Sequence, residues 1–486
     1  MKNIKFPLVI SLILFIVSCD LNLQPISEIG EGSFYKTPEE IDNAVIACYN
    51  GLQAPMYNEW MLTELRSDNS RLYNIGTTSA DNTLLFEFDQ AKVSATSPRV
   101  YEYWAAVYHN IARCNTVLSD GRLDVVADEN LRDQYEGEAR FIRAYHYFNL
   151  VRLFGPVFIV SERISAQQAL TYDRSPVEDV YDFILSDLNI AIEKLPTSYP
   201  DDQKGRVTSW AAKSLLAKVY MTLGKIDSET RDLLEDIYRN SGHKLLPNYE
   251  EVFDIANEVN DEIIFTIRFQ SGGLGLGSPF GNMFAPQQSG SSVINGDGKG
   301  YNYPTTELVN SYETGDVRKD VTLAINYVNE RGQIIDRRYV KKYLSPVITP
   351  SDGDNDWPVI RFADIILLYA EVLNELEGPS AALPYLNMIR TRAGLQEQNL
   401  YKYPNKHSMR MAIENERRLE LAYENHRWFD LVRTNRVFVV MNTHYQTEEY
   451  YSELPGVGPI QEYSILLPIP QKEIDINQHI PQNPGY

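Results

Sequence analysis

The stretch Arg140–Gly155, RFIRAYHYFNLVRLFG, decides the fold class. Phe141, Ala144, Tyr145, Phe148 and Val151 recur at three- and four-residue steps, which puts them on one face of a helix. Gly155-Pro156 stops that helix, because proline cannot continue it and glycine accepts the left-handed closing residue. The design returns in Thr208–Gly224 (TSWAAKSLLAKVYMTLG), striped by Ala212, Leu215, Leu216, Val219, Tyr220 and Leu223. It returns again in Arg361–Leu376 (RFADIILLYAEVLNEL), through Phe362, Ile365, Ile366, Tyr369, Leu373 and Leu376. Pro379–Gly394 and Met409–Arg433 read as further helices. Pro38 opens another, with Thr37 as its cap and Glu39 and Glu40 in its first turn. Alanines beside large apolar residues let helices approach closely in antiparallel pairs, as in tetratricopeptide-like hairpins, but the strict period of about 34 residues is missing. The expected fold is therefore mainly α, with degenerate helical hairpins inside a globular protein. Strand-like runs near Ile263–Phe269, Arg338–Tyr343 and Tyr463–Pro468 are too few for a sheet-based fold.

Long insertions separate the helices. Ser271–Gly300 holds nine of the 27 glycines, and a loop of that length reads as a binding element or a disordered one. Asp352-Gly353-Asp354-Asn355-Asp356 resembles the start of a calcium loop. Trp357, however, stands where the sharp-turn glycine belongs and Ala363 where the bidentate glutamate belongs. A solvated acidic turn is preferred to a loose calcium site, and neither metal nor cofactor is expected. The seven histidines form no HExxH pair, the glycine-rich loop lacks a phosphate-binding lysine, and there is no GxSxG elbow. Glycosidase-type acids are set by spatial separation and not by spacing in sequence, so no pair is singled out among the 66 acidic residues. No catalytic residue is assigned, and a binding protein is expected.

Composition and the N-terminus set the compartment. The 66 acidic and 45 basic residues leave a net charge of −21, which argues against non-specific binding to nucleic acid or anionic lipid. Hydrophobic residues at 43% and charged ones at 23% fit a packed chain. Tyrosine is in excess, with 32 against 18 phenylalanines and 5 tryptophans; it suits both helical cores and wet binding surfaces. Lys2 and Lys5 precede the apolar run Phe6–Val17. As a helix that run spans roughly 18 Å, too short for a hydrocarbon core of about 30 Å, so it reads as a signal-peptide core. Ile16-Val17-Ser18-Cys19 resembles a bacterial lipobox, which makes residues 1–18 a signal peptide and Cys19 the lipidated first residue of the mature chain. Residues 19–32 read as a tether. Cys48 and Cys114 are then the remaining cysteines, read as buried thiols, with a disulfide between them left open.

Taken together and in order, CDLNLQP, ARFIRAYHYFNLVRLFGPV, GRVTSWAAKSLLAKVYM, VIRFADIILLYAEVLNEL, LNMIRTRAGL, IENERRLELAYENHRWFDLVR and LLPIPQKEIDINQHIPQNPGY resemble the SusD/RagB family of outer-membrane nutrient-binding lipoproteins. The resemblance covers residues 19–486, which divide into an N-terminal part, 33–260, and a C-terminal part, 261–486. It implies about four tetratricopeptide-like pairs beside a loop-built ligand-binding half. It also implies an outer-membrane location facing outward, a TonB-dependent SusC-like transporter as partner, and oligosaccharide cargo. Peptide cargo is the nearest alternative, and a protein-interaction scaffold is the next.

A glycan site pairs aromatic faces with polar side chains. Trp104, Trp210 and Trp428 lie in helical stripes and read as core, whereas Trp60 and Trp357 lie in loop-like contexts and read as freer. The densest polar cluster is Glu64–Tyr73 (ELRSDNSRLY). The resemblance points to Asp68 as an acidic contact, with Asn69, Arg71 and Tyr73 beside it; equally, Asp68-Asn69-Ser70 caps a turn. Tyr301 and Tyr303 close the glycine-rich loop and are the next aromatic candidates. Arg361, near Trp357, either faces the ligand or forms a structural ion pair.

Overall fold

A computed structural model describes residues 34–73, 80–447 and 457–486. The signal segment, Cys19 and the 19–32 tether lie outside the described residues. Helix α1 (Pro38–Asn50) starts as its sequence dictates: the Thr37 hydroxyl accepts from the Glu40 amide, and the Glu40 carboxylate accepts from the Thr37 amide. Helices α2 (Gln53–Leu62), α3 (Ala80–Asp89) and α4 (Pro98–Val117) follow. The quoted stretch is the second half of α5 (Glu129–Phe154), which begins earlier because the Asp128 carboxylate caps the amides of Asn130 and Leu131. Gly155 ends α5 with φ of +72°.

From α5 the chain folds back and forth. Helix α6 (Val177–Lys194) packs on α5, α7 (Ser209–Thr222) on α6, and α8 (Ser228–Asn240) on α7. Helix α9 (Phe362–Leu376) continues the stack on α8, α10 (Pro379–Arg392) on α9, and α11 (Lys406–Glu420) against both. Short turns at Gly224 and Gly378, both with positive φ, join α7 to α8 and α9 to α10 and force antiparallel neighbours. Ala139, Ala144, Ala211, Ala212, Ala217, Ala363 and Ala370 are fully buried where these helices meet, as their small size requires. The expected helix over Met409–Arg433 is broken: α11 ends at Glu420, α12 spans Arg427–Arg433, and Tyr423 and Asn425 between them adopt φ of +66° and +65°. Helix α13 (Val437–His444) follows.

Among the described residues the strands form four separate antiparallel pairs. These are β1 (Ser70–Arg71) with β3 (Tyr303–Pro304), β2 (Ile263–Ile267) with β8 (Trp357–Arg361), β4 (Leu323–Ala324) with β7 (Tyr339–Val340), and β5 (Tyr327–Val328) with β6 (Ile334–Ile335). The run Tyr463–Pro468 is not a strand; it opens with a 3₁₀ turn over Glu462–Ile465. One apolar core joins the helical stack to the loop-built half, and Trp104, Trp210 and Trp428 sit in it as read. Cys48 and Cys114 are free, fully buried thiols. Burial and the neighbouring Cys48 sulfur push the Cys114 thiol well above its usual range, which keeps it unreactive.

A lattice of buried charge crosses between the two halves. Glu416 and Glu420 on α11, with Glu424 just beyond, recur at helical spacing and meet Arg318, Lys342, Arg361 and Arg392. Arg361 Nη1 lies 2.6 Å from Glu262 and 3.1 Å from Glu420, and its Nε lies 2.7 Å from Glu424. The expectation that Arg361 faces a ligand is therefore corrected. It ends β8 at the N-cap of α9 without a side-chain cap bond, and it forms the structural ion pair of the other reading, with interior carboxylates. Trp357 is corrected for the same reason: it lies in β8, buried, stacked on Tyr343 at 4.4 Å between ring centres. Removing one member of such a buried network strands the others, at a cost of about 3–5 kcal/mol. Arg361→Ala is expected to lower unfolding stability by about that amount. Urea denaturation checks this, and an unchanged midpoint would show that the three carboxylates find other partners.

Candidate functional site

The segment Glu64–Tyr73 is built from below. A 3₁₀ turn over Glu64–Arg66 leads into β1, and the tail of α11 holds it. Arg427 donates to both carboxylate oxygens of Asp68, at 2.7 and 3.0 Å, and Arg418 lies 3.0 Å from the second. Arg418 also donates to the Asp68 carbonyl and to Asn69 Oδ1. The Tyr423 amide donates to Glu64 Oε1 and its hydroxyl to the Asn69 carbonyl, which accounts for the left-handed backbone of a buried tyrosine. Burial raises the Asp68 carboxyl, but the two guanidiniums outweigh it and hold it below the usual carboxylate range. Asp68 and Asn69 are thus interior anchors, and the expectation of an exposed acidic contact at Asp68 is corrected: its charge is consumed by Arg418 and Arg427.

What this anchor positions is aromatic. In the β1–β3 pairing Arg71 lies opposite Tyr303, and two residues later Tyr73 stacks on Tyr303 with ring centres 4.7 Å apart. Arg338 lies over the Tyr303 ring at 4.8 Å, Arg71 near it at 6.0 Å, and Arg337 over the Tyr73 ring at 5.1 Å. Tyr73, Arg337 and Arg338 are half-buried, while Tyr303 and Arg71 lie beneath them. The fold therefore brings Arg71, Tyr73 and Tyr303 together, and beside them stands the Arg337-Arg338 doublet, of which Arg338 was read only as the start of a strand-like run and Arg337 not at all.

A second aromatic pair lines an open cleft of about 630 Å³. Half-buried Tyr301 stacks on Trp60 at 5.8 Å, and Tyr57 joins the wall one helical turn before Trp60. Trp60 sits in α2 and is fully buried, edge-on to Phe284, so its expected freedom is corrected: it supports Tyr301 from behind. Tyr57 was missed, although its three-residue spacing from Trp60 in QAPMYNEWML places both on one helix face. Arg99 and Glu102, an ion pair one turn apart on α4, close another side.

The glycine-rich loop forms the rim. Asp352 accepts from the amides of Gly272 and Gly273, Asp354 from the amide and hydroxyl of Ser271, and Asp356 from the amide of Phe269. The acidic turn is a staple for this loop, which uses the carboxylates a calcium ion would need. A side chain at Gly277 would collide with Asp352, its Cβ falling 2.0 Å from the carboxylate, so only glycine allows the two strands of loop to meet. Among the described residues no cluster of histidine, cysteine, aspartate or glutamate is arranged to hold a metal.

An open, aromatic-walled cleft, lined by α2, α4 and the long loops, sits in a mainly α fold built on a stack of tetratricopeptide-like helical hairpins. The chain belongs to the SusD family. The SusD family model matches residues 322–486, and a second model, described as starch-binding associating with outer membrane, matches residues 21–221. A SusD-like protein of Formosa agariphila is 29% identical over 95% of this chain and 94% of its own. A solved laminarin-binding SusD-like protein is 28% identical, with TM-score 0.78 over 93% of this chain and all of its own. A surface glycan-binding protein of Bacteroides thetaiotaomicron, solved with laminarihexaose, shares the fold at 22% identity and TM-score 0.78, over 92% of this chain and 99% of its own.

One buried acid beneath the site gives a pH signature. Burial, aided by Asp68, raises the Glu64 carboxyl to about 7 despite hydrogen bonds from Asn69 and Tyr423. The folded chain then holds this proton more tightly than the unfolded chain, so Glu64 makes stability fall as pH rises from the usual carboxylate range to about 7. Buried Glu59, Glu138 and Asp356 are raised to about 7 as well, so Glu64→Gln is expected to lessen that part of the slope without abolishing it, measured by denaturation between about pH 4.5 and 8. An unaltered slope would assign the proton uptake elsewhere.

Proposed function

We propose that this protein is a cell-surface lipoprotein that captures oligosaccharides and passes them, unaltered, to a TonB-dependent SusC-like transporter in the outer membrane. The observation that carries the reading is the aromatic wall, Tyr301 backed by Trp60 with Tyr57 beside it, that lines an open cleft of about 630 Å³. The apolar faces of pyranose rings stack on tyrosine, while their hydroxyls need polar partners such as Arg99, Glu102, Asn58 and Asp352, which also line the cleft. The family's description and the laminarin-binding relative support a glycan as cargo. Capture of this kind asks for a pre-formed surface and no reacting group, and we assign none.

Titration calorimetry of the chain from Asp20 onward with a panel of oligosaccharides, laminarihexaose among them, tests this. Tyr301→Ala and Tyr57→Ala are each expected to weaken binding by about tenfold or more, near 1.4 kcal/mol, with no shortened sugars after long incubation. Unchanged affinity in both variants, or released product, would contradict the reading. Cys19→Ala in the full-length chain is expected to leave binding intact and move the protein from the membrane to the soluble fraction. Its retention in the membrane would contradict the lipid anchor.

A further inference from the structure

Resting on the glycan reading above, we propose that Asn58 sets the specificity of the cleft by reading two neighbouring ring hydroxyls at once, which selects oligosaccharides whose interior rings keep such a pair free. Asn58 lies in α2 next to Tyr57, and with Tyr57, Trp60 and Met61 it makes the part of that helix that lines the cleft. The residue is only 8% exposed, yet among the described residues its side-chain amide has no hydrogen-bond partner. Buried amides nearby are tied down: Gln53 donates to the carbonyls of Arg268 and Leu276, Asn69 to Glu64, and Asn149 to Glu59. Among the described residues the one other buried asparagine or glutamine with no side-chain hydrogen bond is Asn302. Both polar atoms of Asn302 are shut from solvent, and it does not line the cleft. Neither end of the Asn58 amide is shut off in that way, so a buried side chain opens its polar head to the cleft.

A buried amide that bonds nothing in the fold destabilises it, and the middle of a helix favours alanine or leucine over asparagine. A ligand that completes both ends of the amide offsets that cost. Asparagine presents an acceptor and a donor group side by side. A single hydroxyl serves one end, whereas hydroxyls on adjacent ring carbons serve both, one donating to Oδ1 and the other accepting from Nδ2. Tyr57 and Tyr301 take the face of the ring while Asn58 takes its edge. Linkage then decides which rings qualify. A pyranose ring joined through its fourth oxygen keeps the second and third hydroxyls, which are neighbours. A ring joined through its third oxygen keeps the second and fourth, which are not. A site built to bond a hydroxyl rejects a ligand that lacks it, because the amide is then left unpaired in a desolvated wall.

Calorimetry of the chain from Asp20 onward with three neutral hexasaccharides tests this. Cellohexaose and maltohexaose are joined through the fourth oxygen; laminarihexaose is joined through the third, and only its end rings keep a neighbouring pair. At least one of the first two is expected to bind about tenfold or more tightly than laminarihexaose. Asn58→Leu and Asn58→Ala are each expected to erase that preference with an unchanged or raised midpoint of thermal unfolding, because the amide bonds nothing within the fold. A lowered midpoint in both variants would make Asn58 a structural residue and overturn the proposal. Laminarihexaose bound as tightly as both other probes, or a preference that survives in both variants, also overturns it, and leaves glycan capture standing where Tyr301→Ala weakens binding. No binding of any probe overturns both readings.

Discussion

The carboxylate of Asp68, locked between Arg427 and Arg418, is the contact on which the rest of the site depends. The two arginines come from the α11–α12 corner and the aspartate from the turn before β1, so the pair ties the helical stack to the loop-built half. A buried ion pair is a weak source of net stability, because desolvation opposes its attraction. Its value here is positional. A hydrophobic contact tolerates sliding, whereas two-pronged guanidinium–carboxylate bonding fixes both distance and angle. With Asp68 and Asn69 fixed, β1 has one register against β3, and Tyr73 meets Tyr303.

The wider charge lattice serves the same end. Glu416, Glu420 and Glu424 present carboxylates at helical spacing, and cations arrive from β8, α10 and the segments around Arg318 and Lys342. Elements far apart in sequence are thus pinned to one short stretch, IENERRLELAYEN. The α11 helix breaks there, where Tyr423 is held in a left-handed conformation by Glu64 and Asn69 and Asn425 takes the same conformation two residues on. The acidic turn at 352–356 repeats the principle at the cleft's rim, where side-chain carboxylates take up loop amides that no strand pairs.

The helical half was legible because periodicity is a local signal. The stripes of α5, α7 and α9 appear where the spacing put them except at their last residues, Leu223 and Leu376, which the helix ends leave exposed, and the cap at Thr37 and the stops at Gly155 and Gly224 fall as read. Errors arose where burial is decided by distant partners. Trp60 and Trp357 sit in polar or broken sequence yet are buried, one in a helix and one in a strand, because aromatic neighbours from other segments cover them. Asp68 and Arg361 have the look of ligand contacts in a line of residues, and only folding reveals the opposite charges awaiting them. Tyr73, Tyr301 and Tyr303 do come to half-open or ring-stacked positions at the site. Arg337 escaped notice because nothing in its own segment marks the tyrosine it covers.

The central claim is that Asp68's ion pair sets the aromatic platform, and hydrogen–deuterium exchange on Arg427→Leu measures it most directly. The account predicts that amides of residues 68–73 and 301–305 exchange about tenfold or more faster, while those of α5–α7 keep their protection. Unchanged exchange across 68–73 and 301–305 in a folded variant would contradict it.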